Sequence, residues 1–222
     1  MQHSLHIENF GVRLRPVRME DSAFIVWLRN LDFVRGRVGD SAADVASQEK
    51  WLRNYFQTEG DYYFITETLA GIPVGTHGLY GITGSSAEQG RNIVRPDVMA
   101  GVPAALLATD LAFGQMGLTE LRGNAVSTNV TIHSLHRKWG FEQIGVLRAA
   151  QIIGGQPVDL IQYRLKKEKW LQVRDRLVPL ATVAGSQVLE WEKSQSGATH
   201  PWNGTRPGPN DESLASPTNS KH

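Results

Sequence analysis

The chain has 222 residues, which is long enough for one domain with a sizeable core and a further segment. Hydrophobic residues make up 41% of it and charged residues 20%, as in an ordinary globular protein, and the net charge of +1 gives no electrostatic reason to expect nucleic acid or a membrane as partner. Because cysteine is absent, disulfides, thiolate metal sites and cysteine nucleophiles are excluded.

The first 109 residues give no sign of a targeting or membrane segment. Residues 1–16 carry charges and no apolar core of a signal peptide, and the apolar run 98–109 is too short to span a bilayer. We therefore expect a cytoplasmic protein. His133 and His136 share a helix face, but no third ligand has a suitable spacing, so we expect no metal site.

The first third of the chain predicts one strand and two helices. Alternating apolar residues predict a strand at 12–15, and a helix follows from Met19 to about Arg29. Asp44 is a good N-cap for a second helix over 45–56.

The remaining pattern predicts hairpins joined by two crossover helices. β-rich runs separated by turns are predicted at 62–68, 72–82, 88–95, 118–127, 141–153 and 158–165. Helices are predicted at 103–116, where Pro103 is tolerated in the first turn, and at 131–139. The element order β-α-α-β-β-β-α-β-α-β-β predicts a mixed α/β (α+β) domain.

The C-terminal part differs in composition from the rest. Residues 1–168 form the predicted domain, and 169–193 form a helical extension that we expect to be interrupted at Pro179. Residues 194–222 are rich in Ser, Asn, Thr, Gly and Pro, which predicts a disordered tail, and Trp202 alone does not alter this expectation.

The most informative stretch is 129–141, Asn-Val-Thr-Ile-His-Ser-Leu-His-Arg-Lys-Trp-Gly-Phe, a predicted amphipathic helix that ends at Gly140. Its spacing resembles the Asn-x-x-Ser/Ala-x-x-Leu-Tyr-x-Lys-x-Gly-Phe signature of the GCN5-related N-acetyltransferase (GNAT) superfamily, and the element order over about residues 10–168 matches as well. The resemblance implies a central mixed, mostly antiparallel sheet with helices on both faces. It also implies that two strands splay apart at a notch for acetyl-CoA.

In that superfamily the pyrophosphate of acetyl-CoA lies at the N-terminus of the helix after the splayed strand, where free N–H groups favour an anion. The family motif Gln/Arg-x-x-Gly-x-Gly/Ala falls on 98–103, where only Gly101 fits, since Val98 is apolar and Pro103 lacks an N–H. The resemblance implies acetyl-CoA contacts from Ile93, Val94, Met99, Ala100, Gly101, Val102, Ala104, Asn129 and Lys138. Capping alone is an equal alternative for Asn129, and solvated surface charge is one for Lys138.

Two residues are the expected catalytic groups. His136 stands where the family most often has Tyr, the proton donor to the leaving thiolate, and histidine donates a proton readily near neutral pH. The alternative for His136 is an ordinary half-buried polar residue. Glu88, in a segment that resembles the Ala-Glu-Ile-Gly start of the family's central strand, is the expected base, and His77 and Tyr80 on the facing strand are its rivals. The alternative for Glu88 is a solvated or paired carboxylate.

The N-terminal third resembles the branch that acetylates nucleotide-linked amino sugars and the RimJ/RimL group, although Gln48 stands where that layout has His. The resemblance implies acceptor contacts from Arg29, Asn30, Arg35, His77 and Tyr80. Surface ion pairing is an equal alternative for Arg29 and Arg35. It thus predicts an acetyl-CoA-dependent N-acetyltransferase for an amino sugar, a protein N-terminus or a small amine, and a homodimer is compatible with it. The alternative is a GNAT-fold module that binds an acyl-CoA or a partner with little or no turnover.

Overall fold

The computed structural model describes residues 3–34, 44–195 and 197–202. The strands are β1 (Ile7–Asn9), β2 (Val12–Pro16), β3 (Tyr62–Thr68), β4 (Pro73–Thr83), β5 (Ser86–Val94), β6 (Glu120–Val126), β7 (Glu142–Ile153) and β8 (Gln156–Lys166). The α-helices are α1 (Ser22–Arg29), α2 (Val45–Tyr55), α3 (Gly101–Phe113), α4 (Val130–Trp139) and α5 (Lys167–Ser194), with a short 3-10 helix, Met19–Asp21, before α1.

The eight strands of the described residues form one sheet in the order β1-β2-β3-β4-β5-β6-β8-β7. Every neighbouring pair is antiparallel except β5 and β6, which are parallel because α3 crosses over between them. One face of the sheet packs against α3 and α5, and the other packs against α1 and α2. The expected fold class, a mixed and mostly antiparallel sheet with helices on both faces, is confirmed.

The two faces have separate apolar cores. Phe64, Leu79 and Leu121 point towards α3, while Tyr63 and Ile65 point towards α1 and α2, as the two-residue period of a strand requires. This division decides which strand residues can share a site.

The helix α5 is fixed to α3 by one part-buried carboxylate. Asp110 accepts hydrogen bonds from Trp170 Nε1 at 2.9 Å and from Arg174 Nη2 at 2.8 Å. The fully buried ring of Trp170 extends the core beside Leu177. The last helix is therefore packed against the sheet domain.

The expected break at Pro179 is wrong, because α5 runs through it. Pro179 cannot bond the carbonyl of Asp175, but both residues lie on the exposed side of α5, where water can bond that carbonyl. The sequence also gave no signal for β1, a three-residue edge strand.

Trp202 packs onto the domain, contrary to expectation. Its ring centre lies 5.1 Å from that of Phe24 and 4.8 Å from that of Trp27 on α1. The guanidinium carbon of Arg95 lies 5.4 Å from the same ring. Residues 203–222 of the expected tail lie outside the described residues, so the division at 168 and 194 stays a prediction. In the described ranges no helix is both long and apolar enough to cross a membrane.

Candidate active site

The central feature is the point where β5 and β6 separate. Their parallel pairing is limited to Ser86 with Glu120, Ala87 with Leu121 and Glu88 with Arg122. Beyond Glu88, β5 continues beside β4 and β6 continues beside β8, so the two strands diverge. The splayed notch implied by the resemblance is therefore present between residues 89–94 and 123–126.

A β-bulge lies in β5 at the mouth of this notch. Thr76 pairs with Ile93 and Gly78 pairs with Gly90, which leaves one extra residue on β5. Arg91 occupies the bulge with φ at 53°, and Thr76 Oγ1 donates a hydrogen bond of 2.7 Å to its carbonyl. The extra residue shifts the alternation of side chains along β5.

Glu88 lies at the last parallel pair and faces the α1–α2 side. Its Oε1 accepts hydrogen bonds from the Tyr80 hydroxyl at 3.3 Å and from Asn124 Nδ2 at 3.1 Å. Burial, followed by the charge of Glu88, raises the pKa of Tyr80 to about 12, so Tyr80 remains a hydrogen-bond donor at neutral pH. A cavity of about 210 Å³ opens beside Glu88 and Arg122. The structure thus brings together Glu88 and Tyr80, two of the expected site residues, and adds Asn124.

His77 lies on the opposite face of the sheet. It is fully buried, and it pairs with Phe64 on the α3 side. Burial lowers the pKa of His77 to about 4, a shift that the neighbouring Asn92 amide opposes. The structure therefore does not place His77 with Tyr80 and Glu88, because the two-residue period sends its side chain the other way.

His136 is enclosed between two aromatic rings. Its ring centre lies 4.7 Å from that of Phe141 and 4.5 Å from that of Tyr163, and its buried Nδ1 has no hydrogen-bond partner in the described part of the chain. Burial, with a smaller contribution from His133, lowers the pKa of His136 to about 4. The side chain is uncharged at neutral pH, which argues against the imidazolium form that proton donation would use.

A series of hydrogen bonds through Tyr163 and His133 lies beside His136. The Tyr163 hydroxyl is 2.7 Å from His133 Nδ1, and His133 Nε2 is 3.0 Å from the carbonyl oxygen of Ser127. Since a carbonyl only accepts, Nε2 carries the proton and the Tyr163 hydroxyl donates to Nδ1. This arrangement depends on the packing of α4 over β8, which the sequence pattern did not predict.

The N-terminus of α3 faces open space. A Cβ added to Gly101 would have no atom within 4 Å, and the first-turn N–H groups of Gly101 and Val102 lack helical partners, while Pro103 has no N–H to offer. Ala100 and Ala104 are buried, so their contact with a ligand would be through the backbone. Among the other expected cofactor residues, Ile93 is buried, Val94 is half-buried and Met99 is exposed.

Further expected cofactor and acceptor residues have local roles. Asn129 caps α4 by accepting a hydrogen bond from Ile132 N at 3.3 Å, and Lys138 is exposed on that helix. Asn30 Nδ2 donates to the Val26 carbonyl at 2.7 Å. Arg29 lies close enough to Tyr63 to oppose the burial that raises the pKa of its hydroxyl. Arg35 lies outside the described residues.

No family model matches the chain, and no curated protein matches it. Solved structures do match. The fold, with its splayed parallel pair, is that of the GCN5-related N-acetyltransferase superfamily, which confirms the resemblance; the assignment to a branch stays a prediction.

Three of the matching solved structures illustrate the range of similar proteins. A nucleotide-linked sugar GNAT called FdhC is 27% identical, with a TM-score of 0.67, over 79% of this chain and 98% of that one. A GCN5-related N-acetyltransferase from Brucella melitensis is 17% identical, with a TM-score of 0.69, over 81% and 86%. Spermidine N-acetyltransferase from Vibrio cholerae, in complex with CoA and spermine, is 20% identical, with a TM-score of 0.67, over 73% and 99%.

Proposed function

We propose that this protein is an N-acetyltransferase that transfers an acetyl group directly from acetyl-CoA to a primary amine. The observation that carries the proposal is the position of Glu88, a part-buried carboxylate held by two hydrogen bonds at the point where β5 and β6 separate. A notch in the sheet next to an oriented carboxylate supports a reaction in which the two substrates meet from opposite faces.

The residues on the α3 side fit acetyl-CoA. Gln89 Oε1 and His136 Nδ1 are buried without partners among the described residues, and the amide-bearing pantetheine arm is a ligand that can satisfy such atoms. The free first-turn N–H groups of α3 and the open space at Gly101 suit the pyrophosphate. Because Pro103 supplies no N–H, we expect this anion site to be weaker than one with a complete first turn.

In the proposed reaction Glu88 is the base that takes a proton from the attacking amine, directly or through water. Tyr80 and Asn124 orient its carboxylate. A backbone N–H of the splayed strand near Val94 would polarise the acetyl carbonyl. Since His136 is uncharged at neutral pH, we assign proton delivery to the thiolate to water, and His136 keeps only its packing and its expected contact with the pantetheine arm.

The acceptor belongs to the class of primary amines, and the choice among amino sugar, protein N-terminus and small amine is open. Likeness to a nucleotide-linked sugar GNAT and to a spermidine N-acetyltransferase supports both sugar and polyamine candidates. The charges beside Glu88 bear on this choice.

The test is the release of free thiol from acetyl-CoA in the presence of an amine panel that includes amino sugars, nucleotide-linked amino sugars, N-terminal peptides, monoamines and polyamines. We expect turnover on at least one class, with the acetylated product seen by mass spectrometry. Coenzyme A binding with no turnover on any amine would contradict the enzyme proposal. It would instead favour an acyl-CoA-binding module. The missing N–H at Pro103 and the uncharged His136 would then explain the absence of turnover.

A further inference from the structure

Arg91 is surrounded by three aromatic rings and a carboxylate. Its guanidinium carbon lies 4.4 Å from the ring centre of Tyr80 and 5.2 Å from those of Trp51 and Tyr63. Its terminal nitrogens donate to the two oxygens of Asp61 at 2.6 and 2.8 Å. Aromatic faces and a carboxylate together form a site for a cation. We call Trp51, Tyr63, Tyr80 and Asp61 the cation cage.

The cation cage shares a wall with the candidate active site. The hydroxyl of Tyr80 donates to Glu88, while its ring faces Arg91. Trp51 is 39% exposed, and 22% of the Arg91 side chain is exposed, so the cage borders on solvent. A ligand whose amine is bound at Glu88 would therefore lie next to the cage.

The backbone places Arg91 in the cage at a cost. A non-glycine residue with positive φ is strained by about 1 kcal/mol, and Arg91 has φ at 53° in the bulge of β5. The facing residue is Gly78, where an added Cβ would lie only 3.1 Å from Arg91 Cδ. Both features let the guanidinium fold back over the sheet to reach Asp61.

We propose that Arg91 determines acceptor specificity by filling the cation cage from within the chain, so that the site accepts amines with one cationic group and rejects polyamines. A second ammonium would need the carboxylate and the aromatic faces that Arg91 already engages, and it would meet a like charge. The nearby Arg122 is paired with Glu120 at 2.7 Å, which leaves Glu88 to receive the reacting amine. The inference rests on the proposed function only in placing the acceptor amine at Glu88.

The experiment compares butylamine with putrescine, two ligands of equal carbon length with one and two charges, by calorimetry in the presence of coenzyme A. Wild-type protein should bind putrescine no more tightly than butylamine. Arg91→Gly should bind putrescine at least tenfold more tightly than wild type does, because glycine keeps the positive φ and leaves the cage vacant. Arg91→Lys, which keeps a cation in the cage, is the matched control and should behave as wild type.

Adding Asp61→Asn to Arg91→Gly should abolish the gain, since the vacant cage then lacks its carboxylate. The proposal fails if wild type prefers putrescine by tenfold or more, if folded Arg91→Gly shows no gain, or if the gain survives Asp61→Asn. Should Arg91→Gly prove unfolded by circular dichroism, the wild-type titrations still test the proposal, because a tenfold preference for putrescine overturns it. Binding needs no acetyl transfer, so a wild type that acetylates no amine overturns the proposed function and leaves these outcomes readable.

Discussion

Asn124 on β6 donates a hydrogen bond of 3.1 Å to Glu88 on β5, across the line where the two strands begin to diverge. The Tyr80 hydroxyl donates to the same carboxylate oxygen from the other side. Two donors on one oxygen fix the direction of the carboxylate. The carboxylate is therefore oriented at the place where the sheet opens.

The first prediction concerns this carboxylate. Glu88→Gln keeps the shape of the side chain and removes its capacity to take a proton, so kcat should fall by about 10²- to 10⁴-fold. Coenzyme A affinity should change by less than about twofold, because a proton transferred in the transition state adds little to ground-state binding. The measurements are steady-state kinetics and calorimetry.

The matched control is Glu142→Gln, which removes an exposed carboxylate on β7. It should turn over at the wild-type rate. If Glu88→Gln is as active as this control, another group or water takes the proton, and Glu88 has only a structural role.

The second prediction concerns the N-terminus of α3. Gly101→Ala adds a Cβ where no atom lies within 4 Å, so both stability and coenzyme A affinity should be retained. Gly101→Glu places a negative charge beside the expected pyrophosphate and should weaken coenzyme A binding by at least tenfold, without a loss of melting temperature. Calorimetry of the two variants is the test, and equal affinities would show that the phosphates bind elsewhere.

The sequence predicted most elements because their signals are local. Asp44 was expected to cap α2, and its side chain accepts from Ser47 N at 2.8 Å. Gly140 was expected to end α4, and it adopts the left-handed conformation that favours glycine, with φ at 86°. The strand over 62–68 has the expected bounds. In each case one residue or one period determines the local backbone.

The features that the sequence did not predict depend on contacts between distant segments. Regular strand alternation would place Asn92 on the face of Glu88, but the bulge at Arg91 turns it towards His77. The bulge is stabilised by the contact of Arg91 with Asp61, thirty residues away, so no local sequence pattern predicts it. Asn124 was missed for the same reason, although alternation on β6 from Arg122 would have placed it on the face of Glu88.

The third prediction concerns Trp202. Its ring covers Phe24 and Trp27 on α1, so Trp202→Ala should lower the free energy of unfolding by about 2 kcal/mol, less than for a fully buried aromatic residue. Leu171→Ala, which truncates a side chain with 61% exposure on α5, is the control and should have little effect. Urea denaturation measures both. Equal stabilities of Trp202→Ala and wild type would mean that the segment 197–202 does not stay packed in solution.

The last prediction is that stability falls as the pH is lowered from 6.5 towards 4. Burial holds the pKa of His77 and of His136 at about 4, whereas the unfolded chain has its histidines near 6.5. Below pH 6.5 these histidines take up protons in the unfolded state but stay neutral in the folded state. The stability that they contribute above pH 6.5 is therefore lost as the pH falls from 6.5 towards 4. At pH 5 each histidine should lower the free energy of unfolding by on the order of 2 kcal/mol.

The measurement is the free energy of unfolding in urea at pH 7.5 and at pH 5, for wild type and for the variants His77→Gln, His136→Gln and their combination. Glutamine stays neutral over this range, so each substitution should make the pH dependence shallower, whatever it does to stability at pH 7.5. The two effects should add, because the two side chains sit on different elements and titrate with little coupling. A double variant that loses as much stability as wild type between pH 7.5 and 5 would place the acid sensitivity in other groups. Both histidines would then take up protons in the folded state, and His136 would again be available as a charged proton donor.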